Sequence, residues 1–362
     1  MSGDFTTVLA AVTCGTVVAV AEPVAIPLLR RAAAIDMPGH RSSHVVPTPR
    51  GGGAPVAAGL VAASVLIGGE IATAFGVTVA AFSLIGLTED LDGLSAACRL
   101  ALQAAAGTLI GLVLVSTLPV PVLALAVLGG LTAAWITGFV NAFNFMDGVN
   151  GISGAHALIG GACFALLGWW AGGGFLVPAG AALAASALAF LPWNAGRARV
   201  FLGDVGSYAL GAGLGVLAAY AVIGGIPVEA ALGPLALYLA DTGWTLQRRI
   251  RAGERPFEPH RTHTYQRWTD AGWSHQRVTA VTAALTVLLS LLGAASLTGS
   301  APLRALCDLA GAVVLTGYLR SPAVLLRRAA ARRAAAPASY RWAPAQPQPR
   351  GRLCGGDPVI GR

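Results

Sequence analysis

Hydrophobic and polar positions fall in long blocks along this chain, not at the short periods of a soluble fold. A helix needs about 20 apolar residues to cross a bilayer. Eleven such runs stand between short polar stretches: 5–29, 54–70, 71–88, 98–117, 120–140, 153–171, 175–192, 207–223, 225–246, 277–297 and 301–319. The second and third nearly touch at Gly68, Gly69 and Glu70. No polar stretch is long enough for a soluble domain; the largest covers about 247–276. The pattern predicts an all-α polytopic membrane protein of about 10–11 transmembrane helices. Residues 1–325 form its membrane-embedded domain, and the Arg-, Ala- and Pro-rich tail, 326–362, has the composition of a disordered segment. The first run lacks a basic leader and a clear cleavage site, so it reads as a retained span.

Composition agrees: 55% of the 362 residues are hydrophobic and 11% charged, against roughly a quarter charged in soluble domains. The net charge is +8, and all 24 basic residues are arginine. Without a lysine no GxxxxGK[ST] phosphate loop is possible, which speaks against a P-loop ATPase. A basic soluble chain would suggest nucleic acid. Here the arginines sit in short loops between apolar runs, which points to membrane topology and anionic ligands, with no nucleic-acid partner. Five scattered cysteines form no CxxC or CxxH pair, so neither a zinc site nor a disulfide framework is supported.

The arginines also set the sides. With the N-terminus outside, the inner segments are 30–53, 89–97, 141–152, 193–206, 247–276 and the tail. Arg99 and Arg277 then lie at inner helix ends, and only Arg304 falls outside. This is a one-sided case of the excess of positive charge on cytoplasmic loops. It also gathers every polar-rich stretch on one face. Merging the second and third runs into one would scatter those stretches over both faces.

Each inner loop carries candidate chemistry beside a plainer reading. DMPGHRSSHVVPTPRGGG (36–53) offers Arg41, Arg50 and a triple glycine whose amides suit an anion, or it is an ordinary basic loop. GLTEDLDGLS (86–95) clusters Glu89, Asp90 and Asp92, tolerable around a cation or as caps of the next helix. In NAFNFMDGVNGISG (141–154), Asn141, Asn144, Asp147 and Asn150 recur every three residues, which shares one helix face, and glycines then end the helix. PWNAGRARVFLGDVGS (192–207) holds Asn194, Arg197, Arg199 and Asp204, the last of which suits a helix N-cap or a salt bridge with the arginines. RRIRAGERPFEPHRTHTYQRW (248–268) sets His260 and His263 among arginines. Asp241 lies seven residues before Arg248, about 10 Å into the membrane at 1.5 Å per residue, and such acids usually face a polar cavity. Together these groups fit a divalent cation with a phosphorylated substrate.

The motifs RSSHVVPTPRGGG, NAFNFMDGVNG, FLGDVGS and HRTHTYQRW, in this order over about 36–277, resemble the polyprenyl-phosphate N-acetylhexosamine-1-phosphate transferases. That family includes the phospho-MurNAc-pentapeptide translocase and the GlcNAc-1-phosphate transferases of envelope glycan pathways. The resemblance implies transfer of a sugar-1-phosphate from a UDP-N-acetylhexosamine to polyprenyl phosphate in the bacterial plasma membrane. UMP is released, and Mg²⁺, or Mn²⁺ in its place, is the cofactor. It leaves room for a homodimer.

Residue by residue, Asp204 matches the family's metal-binding aspartate, with Asp147 as a second metal candidate. Glu89 and Asp90 fall where the family usually has Asp-Asp, which is proposed to activate the lipid phosphate or to support the metal. Asn144, Asp147 and Asn150 match an amide-acid motif near the nucleotide, and Asn194 a family asparagine. His260 and His263 match loop histidines near the sugar diphosphate. Arg50 is a substrate candidate by its charge. HRTH in place of three adjacent histidines argues against the pentapeptide substrate. A transporter or flippase is the rival from another class, but it would place charges near the midplane and show internal repeats.

Overall fold

The computed structural model describes residues 2–38, 46–116, 118–255 and 260–335. His40, Arg41 and His44 of the first loop lie outside the described residues. The helices are α1 (Ser2–Arg31), α2 (Gly53–Ile67), α3 (Glu70–Leu91), α4 (Ala96–Val115), α5 (Val122–Phe145), α6 (Ile152–Trp170) and α7 (Leu176–Asn194). They continue with α8 (Gly203–Ile223), α9 (Val228–Leu232), α10 (Ala236–Arg251), α11 (Thr264–Asp270), α12 (His275–Ala294) and α13 (Ala301–Ala335). The expected tail begins inside α13, and its remainder, 336–362, lies outside the described residues.

Among the described residues nine helices are long and apolar enough to cross a membrane: α1, α3 to α8, α12 and α13. The other two expected spans differ from that length. α2 has 15 residues. The run 225–246 is not one helix: α9 ends after five residues, a 3-10 turn follows over Gly233–Leu235, and α10 begins at Ala236. Pro234 supplies the reason, since it donates no backbone hydrogen bond and its ring obstructs a continuing α-helix.

α8 is the hub. It is buried along almost its whole length and packs on α3, α5, α2, α6 and α7. Its sequence, GDVGSYALGAGLGVLAAYAVI, is dominated by small residues, which let membrane helices approach closely where apolar lipid offers no hydrophobic drive. At the α2–α8 crossing Gly53 faces Gly206 so closely that a Cβ on either would overlap the other's backbone. The outer helices expose large apolar side chains such as Leu84, Val122, Leu123, Leu131 and Leu166, as a lipid-facing surface requires. Arg304, the one arginine expected outside, is paired with Glu229.

Only two short strands accompany the helices among the described residues. β1 (Ile35–Asp36) pairs antiparallel with β2 (Thr48–Pro49), with Ile35 opposite Pro49 and Asp36 opposite Thr48. Arg50, next along, forms a parallel bridge with Phe201. This ties the first polar loop to the fourth at the N-terminus of α8, and brings the loop ends to one end of the bundle.

Candidate functional site

The site grows from the turn into α8. Gly203 has φ of +73°, and a Cβ there would meet Asp90 Oδ2 at 2.7 Å and Gly51 N at 2.9 Å, so glycine is required twice over. The next residue, Asp204, thereby comes against three other elements. Arg50 donates from Nη2 to Asp204 Oδ1 at 2.8 Å and places Nε 2.7 Å from Asp90 Oδ1. Asn144, in the last turn of α5, donates from Nδ2 to the same Asp204 oxygen at 3.0 Å and to Ser207 Oγ at 2.9 Å. Asp90, near the end of α3, accepts the backbone N–H groups of Asp204 and Val205, each at 3.0 Å. A carboxylate at a helix N-terminus satisfies amides that otherwise lack partners. One arginine therefore bridges two acids, and one acid fixes the backbone that carries the other.

A cavity of about 310 Å³ opens on this cluster. Arg50, Asn144, Asp147, Asn150, Asn194 and Asp204 line it, joined by Asp36, Phe201, Gln266 and His275. Six of the expected residues thus meet in one place. Asp147 is half-buried in the turn after α5. Its burial, with the Asp204 charge adding to it, pushes its carboxyl up to about 7; a bound cation would hold it ionised.

The spacing by threes yields this arrangement only in part. α5 stops at Phe145, so Asn144 reaches the cavity from the helix and Asp147 from the turn beyond it. Asn141 turns instead to α4, where it donates to Gln103 Oε1 at 2.6 Å. Asn150 and Asn194 shape the floor. Asn150 donates to Gly196 O at 2.8 Å, Asn194 donates to Val200 O at 3.0 Å, and Asn194 Oδ1 accepts Gly151 N at 2.7 Å. Gly151 has φ of +81°, the left-handed conformation that starts α6 against this amide.

Five expected placements differ in the structure. The triple glycine does not offer its amides to an anion: Gly51 and Gly52 donate to Phe201 O, and Gly53 to Leu202 O. Glu89 turns away from Asp90 to receive Arg99 Nη1 at 2.9 Å and the Leu94 amide at 2.8 Å, so it closes the α3–α4 turn outside the cavity. Arg197 and Arg199 do not pair with Asp204, whose arginine partner is Arg50.

The histidines make the fourth. His263 is buried at the start of α11, with Nδ1 3.4 Å from Asp241 Oδ1. His260 stacks on it at 5.0 Å between ring centroids. Neither lines the cavity. Burial, with His263 adding to it, holds the His260 imidazole low, at about 4, so it is neutral near pH 7. Asp241 is fully buried and does not line this cavity either. It receives Thr264 N at 3.0 Å, Thr245 Oγ1 at 3.2 Å and Tyr318 Oη at 2.6 Å. From this anchor Tyr265 reaches across to Phe145 O at 3.0 Å. That carries Gln266 to the cavity in place of the histidines. His275 arrives from the first turn of α12. The polar run HTYQRW signalled a site segment, but which of its residues faces inward depends on the turn that Asp241 sets.

Asp204 and Asp147 offer oxygen donors to one cavity, and the amides of Asn144 and Asn150 stand beside them. This all-oxygen set suits a hard cation such as Mg²⁺. No group of three or more His, Cys, Asp or Glu residues among those described is placed to hold a metal alone. That fits a cation held by one or two carboxylates together with water and substrate phosphates.

Comparison with known proteins follows the same residues. The family model for glycosyl transferase family 4 matches residues 72–222, the stretch that carries Asp90, Asn144, Asp147, Asn194 and Asp204. The chain is 32% identical to the decaprenyl-phosphate N-acetylglucosaminephosphotransferase of Mycobacterium leprae, over 83% of this chain and 86% of that one. It is 28% identical to a probable undecaprenyl-phosphate N-acetylglucosaminyl 1-phosphate transferase of Bacillus subtilis, over 69% and 75%. A phospho-N-acetylmuramoyl-pentapeptide-transferase of Moorella thermoacetica is 33% identical over 45% of this chain and 50% of its own. The family model spans α3 to α8, the likeness to the Mycobacterium leprae protein covers 83% of this chain, and this chain belongs to glycosyl transferase family 4.

Proposed function

We propose that the protein transfers N-acetylglucosamine-1-phosphate from its UDP-sugar to polyprenyl phosphate and releases UMP. The observation that carries this reading is the cluster in which Arg50 bridges Asp90 and Asp204 at the mouth of a polar cavity. Relatives with near full-length similarity bear the name of this reaction. The chemistry needs little more than positioning and charge stabilisation. An oxygen of the lipid phosphate attacks the β-phosphorus of the UDP-sugar, the bond to the bridging oxygen breaks, and UMP leaves with that oxygen.

Asp204 and Asp147 are the residues that would hold Mg²⁺, and the bound ion supplies neutralisation of the diphosphate charge. Arg50 and Asn144 fix the Asp204 carboxylate through one of its oxygens and leave the other for the cation. Asp90 holds the N-terminus of α8, and so the height of Asp204 in the cavity. Asn150, Asn194 and Phe201 also line the cavity and are suited to the nucleotide. The arginine asymmetry supports a cytoplasmic position for this end of the bundle, on the side where UDP-sugars are found, with the N-terminus outside.

The test is UMP release by purified protein with polyprenyl phosphate and a panel of UDP-sugars, before and after treatment with EDTA. Release with UDP-N-acetylglucosamine, dependent on lipid and restored by Mg²⁺, is the expected result. Folded protein that releases UMP with none of the sugars would end this reading. Release that survives chelation would end the metal assignment alone.

A further inference from the structure

Arg30, Arg197 and Arg199 have no role in the transferase cavity. With Val46, Thr48 and Pro49 they line a separate cavity of about 540 Å³ that shares no residue with the first. All three side chains are exposed, and none is paired with a carboxylate among the described residues. This sets them apart from other arginines of the polar loops. Arg50 bridges two aspartates, Arg99 meets Glu89, Arg249 meets Glu254 and Arg261 meets Asp270. Three guanidiniums around one hollow repel each other, and a phosphate group relieves that repulsion through charge-assisted, bidentate bonds.

A second observation fixes the depth. Arg30 lies in the last turn of α1, and Trp193 in the last turn of α7. These two helices pack together, and both are long and apolar enough to cross a membrane. Arg199 sits over the Trp193 ring, with Cζ 5.5 Å from the centroid. Tryptophan favours the headgroup layer, where basic side chains also meet anionic lipid. The hollow therefore stands where the apolar segments end, level with lipid phosphates and not out in bulk water.

We propose that Arg30, Arg197 and Arg199 form a second phosphate-recognition site, distinct from the transferase cavity, which takes the headgroup phosphate of an anionic lipid from the adjacent leaflet. Because β2 runs from this site to Arg50, and Pro49 O accepts the Phe201 amide at 2.8 Å, a headgroup seated here braces the strand that presents Arg50.

The test uses full-length protein in phosphatidylcholine nanodiscs with graded phosphatidylglycerol. Retained phosphatidylglycerol is counted by native mass spectrometry, and the thermal unfolding midpoint is followed in parallel. Each single substitution, Arg30→Gln, Arg197→Gln or Arg199→Gln, should weaken phosphatidylglycerol retention about fivefold, and the triple variant should lose it. A charge-matched control, Arg320→Gln with Arg327→Gln and Arg328→Gln on exposed α13, should retain it. Equal loss in the control and the triple variant would mean diffuse surface charge and overturn the site. Inorganic phosphate that raises the midpoint in pure phosphatidylcholine as much as phosphatidylglycerol does would overturn the lipid as its ligand. The single variants keep the test decisive if the triple variant does not fold, and the readout needs no transferase activity.

Discussion

Two aspartates, Asp204 and Asp241, organise this molecule in opposite ways. Each gathers partners from several helices. Asp204 keeps 15% of its side chain exposed at the mouth of a cavity, whereas Asp241 keeps none. Asp241 shares its oxygens among a hydroxyl of its own helix, a tyrosine of α13 and the amide that begins α11. Both of its oxygens are engaged and its side chain is fully enclosed. Arg50 and Asn144 both donate to Oδ1 of Asp204. A fully enclosed acid with its bonds satisfied specifies structure; one that is held on one side and open on the other can do chemistry.

The sharpest way to break this contrast is to remove each acid in turn. Asp204→Ala should lower kcat by at least about 10³-fold with little change in the thermal midpoint. An active Asp204→Ala enzyme would remove that residue from the machinery. Asp241→Ala should do the reverse. It strands the Tyr318 hydroxyl and the Thr264 amide in the interior, at a cost of about 3–5 kcal/mol of stability, visible as a large drop in the midpoint. If Asp241→Ala unfolded normally but lost all turnover, the division between the two clusters would be wrong.

Arg50 sharpens the comparison on the catalytic side. Arg50→Gln should cost about 10²-fold in kcat, and Arg50→Lys should recover little of it, because a point-like ammonium cannot span Asp90 and Asp204 as the planar fork does. Full rescue by lysine would show that only net charge matters there. Asn144→Ala removes one neutral donor to Asp204 and should cost about tenfold. Glu89→Gln is the smallest. It weakens a turn-closing pair with Arg99 by about 1 kcal/mol or less and should leave kcat within about twofold. A loss as large as that of Arg50→Gln would return Glu89 to the chemistry.

Much of the architecture was legible in the sequence because membrane insertion is decided locally. A run of apolar residues is long enough or it is not, and arginines mark one side whatever the helices do next. That Asp204, Asn144, Asp147, Asn150, Asn194 and Arg50 would meet in one cavity was legible for a related reason: polar groups at the ends of apolar runs have few structural uses. Other assignments failed where two polar groups of similar appearance competed for one place. Asn141 and Asn144 stand in the same register, yet α5 is wound so that one meets Gln103 on α4 and the other meets Asp204. Glu89 and Asp90 are neighbours, yet successive residues on a helix lie about 100° apart, so only Asp90 faces α8. The glycines at 51–53 suited phosphate, but the carbonyls of Phe201 and Leu202 reached their amides first.

The sequence by itself therefore determined that this chain is a multi-pass membrane protein and which short polar stretches, rich in arginine, separate its helices. Those properties follow from hydrophobicity and charge, which act residue by residue. Only the tertiary structure decided which loop residues touch. It buried His263 on Asp241, brought Gln266 and His275 to the cavity in place of the histidine pair, and left Arg30, Arg197 and Arg199 without a carboxylate partner among the described residues. Hydrogen bonds are short and directional, so partnership depends on turns such as Gly203 and Asp241–Thr264, whose geometry is set by residues far apart in the chain.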